Sequence, residues 1–191
     1  DTQLVLAEPY DVAGSTLGQI KCEYYDGITG TTVADLEGDA SYPGSPTSTV
    51  TKTTFETDSN RDEDYGARLS GYLLAPTTGG YRFYIASDDQ STLRISSGTS
   101  TDPGDLTVLC HQSSGSTAYR EFTKYPEQDS NNVVGLHPLV AGEYYYIEAL
   151  LKEGAGSDHM TVKWVIPGGG EEEPLDGSHV ALTPPVPTSG D

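Results

Sequence analysis

The sequence predicts an all-β fold, an antiparallel β-sandwich or barrel. Apolar and polar residues alternate with period two in several runs, and no window holds a helical period of useful length. The composition, with 22 Gly, 12 Pro and 13 Tyr against only 35% apolar residues, suits many short strands joined by turns better than long helices. At 191 residues the chain reads as one domain, large enough to bury a core.

In chain order, residues 1–17 read as an N-terminal extension or first strand, and "GQIKCEYYDGI" from Gly18 reads as the first clear one. "ARLSGYLLAP" is a further strand. In "YRFYIAS", Tyr81, Phe83 and Ile85 share one face, and "STLRIS" follows at once, so the pair reads as a hairpin with Asp88 and Asp89 at its tip. "DLTVLCHQ" is strand-like. In "EYYYIEALL", Tyr145, Ile147, Ala149 and Leu151 form an apolar face opposite Tyr144, Tyr146 and Glu148. In "MTVKWVI", Met160, Val162, Trp164 and Ile166 point one way and Thr161 and Lys163 the other. Half-buried strand positions account for most of the tyrosines. The body of the domain therefore spans 18–169, and the Gly-, Pro- and acid-rich stretch over 170–191 reads as a linker to other domains of a parent chain.

Lys and Arg number 10 against 29 Asp and Glu, a net charge of −19, which argues against nucleic acid or an anionic membrane as partner. No apolar run reaches the roughly 18 residues a membrane span needs, so membrane insertion is not expected. The surplus acid serves solubility, adaptation to salt, or a metal site. Cys22 and Cys110 sit far apart in strand-like runs without a CxxC. They read as one disulfide of a chain in an oxidising compartment, or else as two buried free thiols.

Two loops concentrate the chemistry. Asp88 and Asp89 are adjacent acids where an ordinary hairpin would place Asn-Gly or Asp-Gly. "KEGAGSDH", Lys152 to His159, joins the two Tyr- and Trp-containing strands. Gly154 and Gly156 leave carbonyls uncovered by side chains, and Asp158 adds a carboxylate. Calcium takes six to eight oxygens from carboxylates, carbonyls and water, and the two loops would supply them if they met. Taken separately, each also reads as a solvated turn.

The order of these pieces carries a family resemblance. "DYGARLSGYLLAPTTGGYRFYIASDDQSTLRIS" (Asp64 to Ser96) resembles the central signature of the anthrax protective-antigen-type (PA14) domain. "YYYIEALLKEGAGSDHMTVKWVIPGG" is similar to that family's closing hairpin and "GQIKCEYYDGI" to its opening strand. "REFTKYPEQDSNNVVGLHPLVAG" resembles the segment between the two in many bacterial members. The resemblance implies a β-sandwich found in adhesins, glycosidases, glycosyltransferases and toxins. Its lectin members hold one Ca²⁺ with two consecutive aspartates joined by a cis peptide, and the ion takes sugar hydroxyls directly. Asp88 and Asp89 stand at that pair, and the Gly154–Asp158 loop stands at the second calcium loop. Among Glu153, Gly154, Ala155 and Gly156, the resemblance does not single out the carbonyl donor. It implies a Ca²⁺ ligand set of Asp88, Asp89, Gly154, Gly156 and Asp158. The glycan contacts it implies come from Asp88, Asp89, Gln90, Ala155, Ser157 and His159, where Gln90 also reads as a solvated turn residue and His159 as a surface histidine.

Other patterns lead nowhere. "DSNRDED" begins like an EF-hand with Asp58, Asn60, Asp62 and Asp64, but Glu63 replaces the needed Gly and Leu69 the closing Glu. Histidines 111, 137, 159 and 179 show no zinc spacing. Adjacent aspartates suit a cation better than the two carboxylates of a glycosidase, which stand about 5–9 Å apart across a cleft. The expectation is a Ca²⁺-dependent glycan-binding module of a secreted or cell-surface protein, without catalytic activity. The alternative is a structural or protein-interaction module stiffened by Ca²⁺.

Overall fold

The computed structural model describes residues 17–98, 100–113 and 115–183. Apart from Leu17, the N-terminal extension expected over 1–17 lies outside the described residues, as do positions 184–191 of the expected C-terminal linker.

Eleven strands, two short α-helices and two single-turn 3-10 helices (Pro126–Gln128 and Gly177–His179) are described. The strands are β1 (Ile20–Asp26), β2 (Ser48–Lys52), β3 (Tyr65–Leu74), β4 (Gly79–Asp88), β5 (Gln90–Ser96), β6 (Leu106–Gln112), β7 (His137–Leu139), β8 (Tyr144–Glu153), β9 (His159–Ile166), β10 (Gly170–Glu172) and β11 (Val180–Ala181). The helices α1 (Val33–Glu37) and α2 (Ser130–Val133) have five and four residues. Two antiparallel sheets result. The larger has the order β2-β1-β3-β8-β5-β6, with β11 also on β3, and the smaller has β10-β9-β4-β7.

The period-two faces are the sandwich interior. Tyr81, Phe83 and Ile85 of β4 and Met160, Val162 and Trp164 of β9 meet Tyr145, Ile147, Ala149 and Leu151 of β8 in one core. Tyr81 and Trp164 stack with ring centroids 5.2 Å apart. Strand β8 is buried along its whole length because its second face is covered too. There Leu36 of α1 packs with Leu150, Tyr25 and Ile28 in a smaller cluster. A capping box starts α1, with the Thr32 hydroxyl accepting from the Asp35 N–H and the Asp35 carboxylate accepting from the Thr32 N–H.

Three expectations change. First, Asp88 and Asp89 are not a hairpin tip: β4 belongs to the smaller sheet and β5 to the larger, so the two acids are the step from one sheet to the other. The same is true of the expected closing hairpin, because β8 and β9 also lie in different sheets. Both β4 and β5 are buried on one face by the same core, so the alternation of side chains cannot tell a sheet-crossing corner from a hairpin. Second, Cys22 and Cys110 form no disulfide. Both are buried thiols, and between β1 and β6 stand β3, β8 and β5. Strand spacing of about 4.8 Å puts them far beyond the roughly 4.4–6.8 Å between α-carbons that a disulfide spans. Burial pushes the Cys22 thiol up to about 11 and raises that of Cys110 as well.

Third, residues 170–183 are folded onto the sandwich where a linker is expected. Strand β10 extends the smaller sheet beside β9, and β11 pairs with β3 at Leu73 and Tyr72. Leu175 and Val180 are completely buried in the main core. The Glu172 carboxylate ties this segment down, accepting from the Trp164 indole N–H at 2.7 Å and pairing with His179 at 3.0 Å. Few apolar residues in an acidic, Gly-rich stretch suffice when each fills a core position. Leu175→Ala should therefore lower unfolding stability by about 2–4 kcal/mol in urea titration, as for a core leucine. A linker residue would change it by less than about 0.5 kcal/mol.

Candidate functional site

The two sheet crossings meet at one end of the sandwich. On one side the β4–β9 ladder pairs Asp88 with His159, and on the other the β5–β8 ladder pairs Gln90 with Lys152. The crossings at 88–90 and 153–159 are therefore side by side. The peptide between Asp88 and Asp89 is cis, as the family resemblance implies for its aspartate pair.

Three carboxylates converge there. Ligand oxygens of Asp88, Asp89 and Glu153 lie within 4.8 Å of one another. Glu153 is the residue that the sequence reading passes over as a carboxylate. It ends the alternating run of β8 and looks like an exposed strand terminus, yet it is completely buried. Its Oε2 accepts from the Asp89 N–H at 3.1 Å, while Oε1 has no hydrogen-bond partner. Asp89 in turn accepts from the Gly154 N–H at 3.1 Å, so Glu153 is held to the backbone of Asp89 and Asp89 to that of Gly154. The Ser87 hydroxyl donates to the Asp89 carbonyl at 2.8 Å.

The remaining expected residues divide. Gly154 is buried against this knot. A β-carbon there would sit 2.6 Å from Thr31 Cγ2 and 3.3 Å from an Asp89 carboxylate oxygen, so only glycine fits. Its carbonyl accepts from the Asp64 N–H at 2.7 Å. Ala155, Gly156 and Ser157 are the exposed loop tip, with Gly156 at φ +115. The Asp158 carboxylate stands apart from the trio: it accepts from the Tyr65 hydroxyl at 2.9 Å and the Asp62 N–H at 3.3 Å. The "DSNRDED" stretch thus braces the 154–158 loop through backbone N–H groups of Asp62 and Asp64. Gln90 turns away, giving its amide N–H to the Ser113 carbonyl at 2.9 Å.

A cavity of about 270 Å³ opens beside the trio, lined among others by Asn60, Asp88, Tyr119, Ser157, Asp158 and His159. Asp88 belongs to both the trio and the cavity wall. Tyr119 lies in the segment between β6 and α2, where no alternation marks it in the sequence.

Electrostatics separates this cluster from ordinary surface acid. Burial, followed by the charges of Asp89, Asp88 and Asp158, pushes the Glu153 carboxyl up to about 7. Burial and the Asp89 charge likewise raise Asp88. The donor set is all oxygen, three carboxylates strong, with one buried oxygen unpartnered, and this fits a hard divalent cation such as Ca²⁺.

Residues 30–178 match the PA14 domain family, and the chain belongs to it. Mouse N-acetyl-beta-glucosaminyl-glycoprotein 4-beta-N-acetylgalactosaminyltransferase 1 is 30% identical over 169 residues, which cover 86% of this chain and 16% of that protein. The chain therefore spans about one sixth of that relative's length. Among solved structures, a PA14 sugar-binding domain from an RTX adhesin has a TM-score of 0.63 at 13% identity, covering 88% of this chain and 100% of that one. The Epithelial Adhesin 9 A domain of Candida glabrata, solved with Galb1-4GlcNAc, has a TM-score of 0.60 at 13% identity, covering 94% of each chain. At that identity the likeness is one of fold.

The raised Glu153 carboxyl has a measurable consequence in cation-free protein. The folded state keeps a proton that the unfolded chain releases near the ordinary value of 4.5, so stability falls as pH rises from there to about 7. Glu153→Gln should flatten that slope in EDTA and leave the variant more stable than the parent at neutral pH, by about 1–2 kcal/mol after screening. Urea midpoints across the window read it, and an unchanged slope would refute it.

Proposed function

We propose that this chain is a Ca²⁺-dependent glycan-binding module, without catalytic activity, carried by a larger secreted or cell-surface protein. The observation that carries the reading is the convergence of Asp88, Asp89 and Glu153 at a cavity edge, with Glu153 Oε1 buried and unpartnered. Like charges brought this close raise each other's cost of ionisation, and a divalent cation removes that cost. Asp88, Asp89 and Glu153 would hold the ion, and neighbouring carbonyls and ligand oxygens would complete its shell. The bound ion offers positive charge to vicinal hydroxyls of a sugar.

Each residue then has its own task. Asp88 faces the cavity, and a carboxylate oxygen not used by the cation accepts from a ligand hydroxyl. The Gly154 N–H orients Asp89, and the Asp89 N–H orients Glu153. Ser157 and His159 offer polar groups at the rim. The sugars named with the Candida adhesin and the RTX adhesin domain support the glycan class, and those adhesins support a place outside the cell. No helix among the described residues is long and apolar enough to cross a membrane. Small contact area implies weak single-site binding, raised by many copies on one surface.

Glycan-array binding with and without EDTA tests the reading. Binding should disappear in EDTA, return with Ca²⁺, and fall at least about tenfold in Asp89→Ala, which removes a charged ligand oxygen pair. Binding that survives both changes would refute it. Thermal stabilisation by Ca²⁺ without any glycan signal would instead leave a structural or protein-interaction module.

A further inference from the structure

Three stretches, 75–81, 130–142 and 165–170, hold no Asp, Glu, Lys or Arg, in a chain where 20% of residues are charged. The fold brings them together. Strand β7 pairs with the start of β4, Gly79 opposite Leu139 and Gly80 opposite Pro138. Ala141 gives its N–H to the Thr78 hydroxyl and Gly142 gives its own to the Ala75 carbonyl, each at 2.9 Å. A β-carbon at Gly79 would sit 2.8 Å from Pro167, and one at Gly80 2.9 Å from Leu136, so bare backbone lets the three stretches close on one another. Burial lowers the pKa of His137, which keeps the histidine of this face neutral at pH 7. The result is an uncharged end face on a chain of net charge −19.

The face is also apolar. Of the eight exposed large hydrophobic side chains among the described residues, Val133, Val134, Leu136 and Val140 fall in this one segment, 39–57% exposed. Four such neighbours expose on the order of a few hundred Å², the size at which a patch marks a contact site. Pro138 takes a donor out of β7, so the face offers side chains rather than an edge for another strand. The chain also enters and leaves here. Strand β3 runs from Tyr65, opposite Glu153, to Leu73, opposite Val180, and Leu17 bridges Ala181. Both connections therefore lie beside the 75–81 stretch, roughly 25–30 Å from the carboxylate trio at the usual rise per strand residue. A free partner needs about 800 Å² on each side for stable association. A tethered one, held at an effective concentration of about mM, manages with less. A second copy of this chain would bring its own −19 charge and no tether.

We propose that this uncharged end face is the docking surface for the adjoining folded domain of the same polypeptide, which lays an apolar, uncharged patch on Val133, Val134, Leu136 and Val140. This rests on the reading of the chain as a module of a larger protein, and adds to it how the module is held. Docked there, the sandwich points its carboxylate end away from the rest of the polypeptide.

Hydrogen exchange tests this on the natural polypeptide and on the isolated chain, both in EDTA and without sugar. Amides of 130–142 should exchange at least about fivefold more slowly in the polypeptide, while those of the edge strand β6 exchange alike in both. Leu136→Asp and Val134→Asp place a charge at side chains 57% and 43% exposed, so the isolated variants should melt at the parent temperature. In the polypeptide either variant should restore the exchange rates of the isolated chain and lengthen the particle in small-angle scattering. Equal exchange of 130–142 in polypeptide and isolated chain would overturn the proposal and leave the glycan reading intact. So would a concentration-dependent dimer of the isolated chain that either variant breaks, which would assign the face to a second copy. Protection already present in the isolated chain and lost on deleting residues 1–16 would overturn it too, in favour of that segment. A natural polypeptide with no second folded domain would overturn both this proposal and the larger-protein reading.

Discussion

Two ladders, β4–β9 in the smaller sheet and β5–β8 in the larger, run to the same edge of the sandwich, and the chain crosses between sheets twice there. Each ladder fixes its register by burying one face, since a slip by one residue would turn Tyr81, Phe83 and Ile85 or Ile147, Ala149 and Leu151 out of the core. With Asp88 opposite His159 and Gln90 opposite Lys152, the two crossings have no freedom to separate. The convergence of Asp88, Asp89 and Glu153 is therefore a product of core packing far from the acids themselves. The acids at this end are positioned by apolar residues that do not touch them.

The knot works against its own charge, and the fold counters this with a buried cation. Lys152, completely buried, donates from Nζ to the Gly30 carbonyl at 2.7 Å and to the Glu153 carbonyl. Burial lowers its pKa, while the charges of Asp64, Asp35, Glu153 and Asp89 act in the opposite direction. Through Gly30 it also holds the 27–32 turn against Gly154, which closes the back of the site. One ammonium faces more carboxylates than it can balance. That imbalance separates this cluster from the exposed acids of the chain, such as Asp62 and Glu63, which screening and solvent leave inexpensive.

Much of the core was legible in the sequence, because burial writes itself as period two: the faces of β4, β8 and β9 are those the alternation marks. What alternation cannot carry is connectivity. A run such as "YRFYIASDDQSTLRIS" alternates identically whether its halves pair with each other or belong to opposite sheets, so the corner at Asp88 and Asp89 looked like a hairpin. Composition misled at the C-terminal stretch, where Leu175 and Val180 hold a segment that is otherwise Gly, Pro and acid. It misled again at the cysteines, since two buried strand positions say nothing of the three strands between them. At the site, the adjacency of Asp88 and Asp89 stood out, while Glu153 hid in the strand pattern. Its signal was there: an acid at the end of a strand buried on both faces is either paired or kept for a ligand.

The cavity wall is built differently from its floor. The floor, Asp88 and His159, hangs on the β4–β9 ladder, with backbone bonds along its length. The outer wall, Thr117 to Tyr119, is held by a few side chains. Thr117 gives its N–H to the Ser87 carbonyl at 2.9 Å and takes the Ser87 N–H on its hydroxyl at 3.1 Å. Next to Tyr119, Arg120 makes a bidentate pair with Glu56 at 2.9 Å, and Glu56 also accepts from Thr161 of β9 at 2.6 Å. Changing the residues between these clamps alters the wall without disturbing a ladder, whereas any change at Asp88 or Glu153 disturbs the knot. On the proposed reading, a cation anchored to the rigid part and a sugar facing the clamped part would let the wall change without disturbing the cation site.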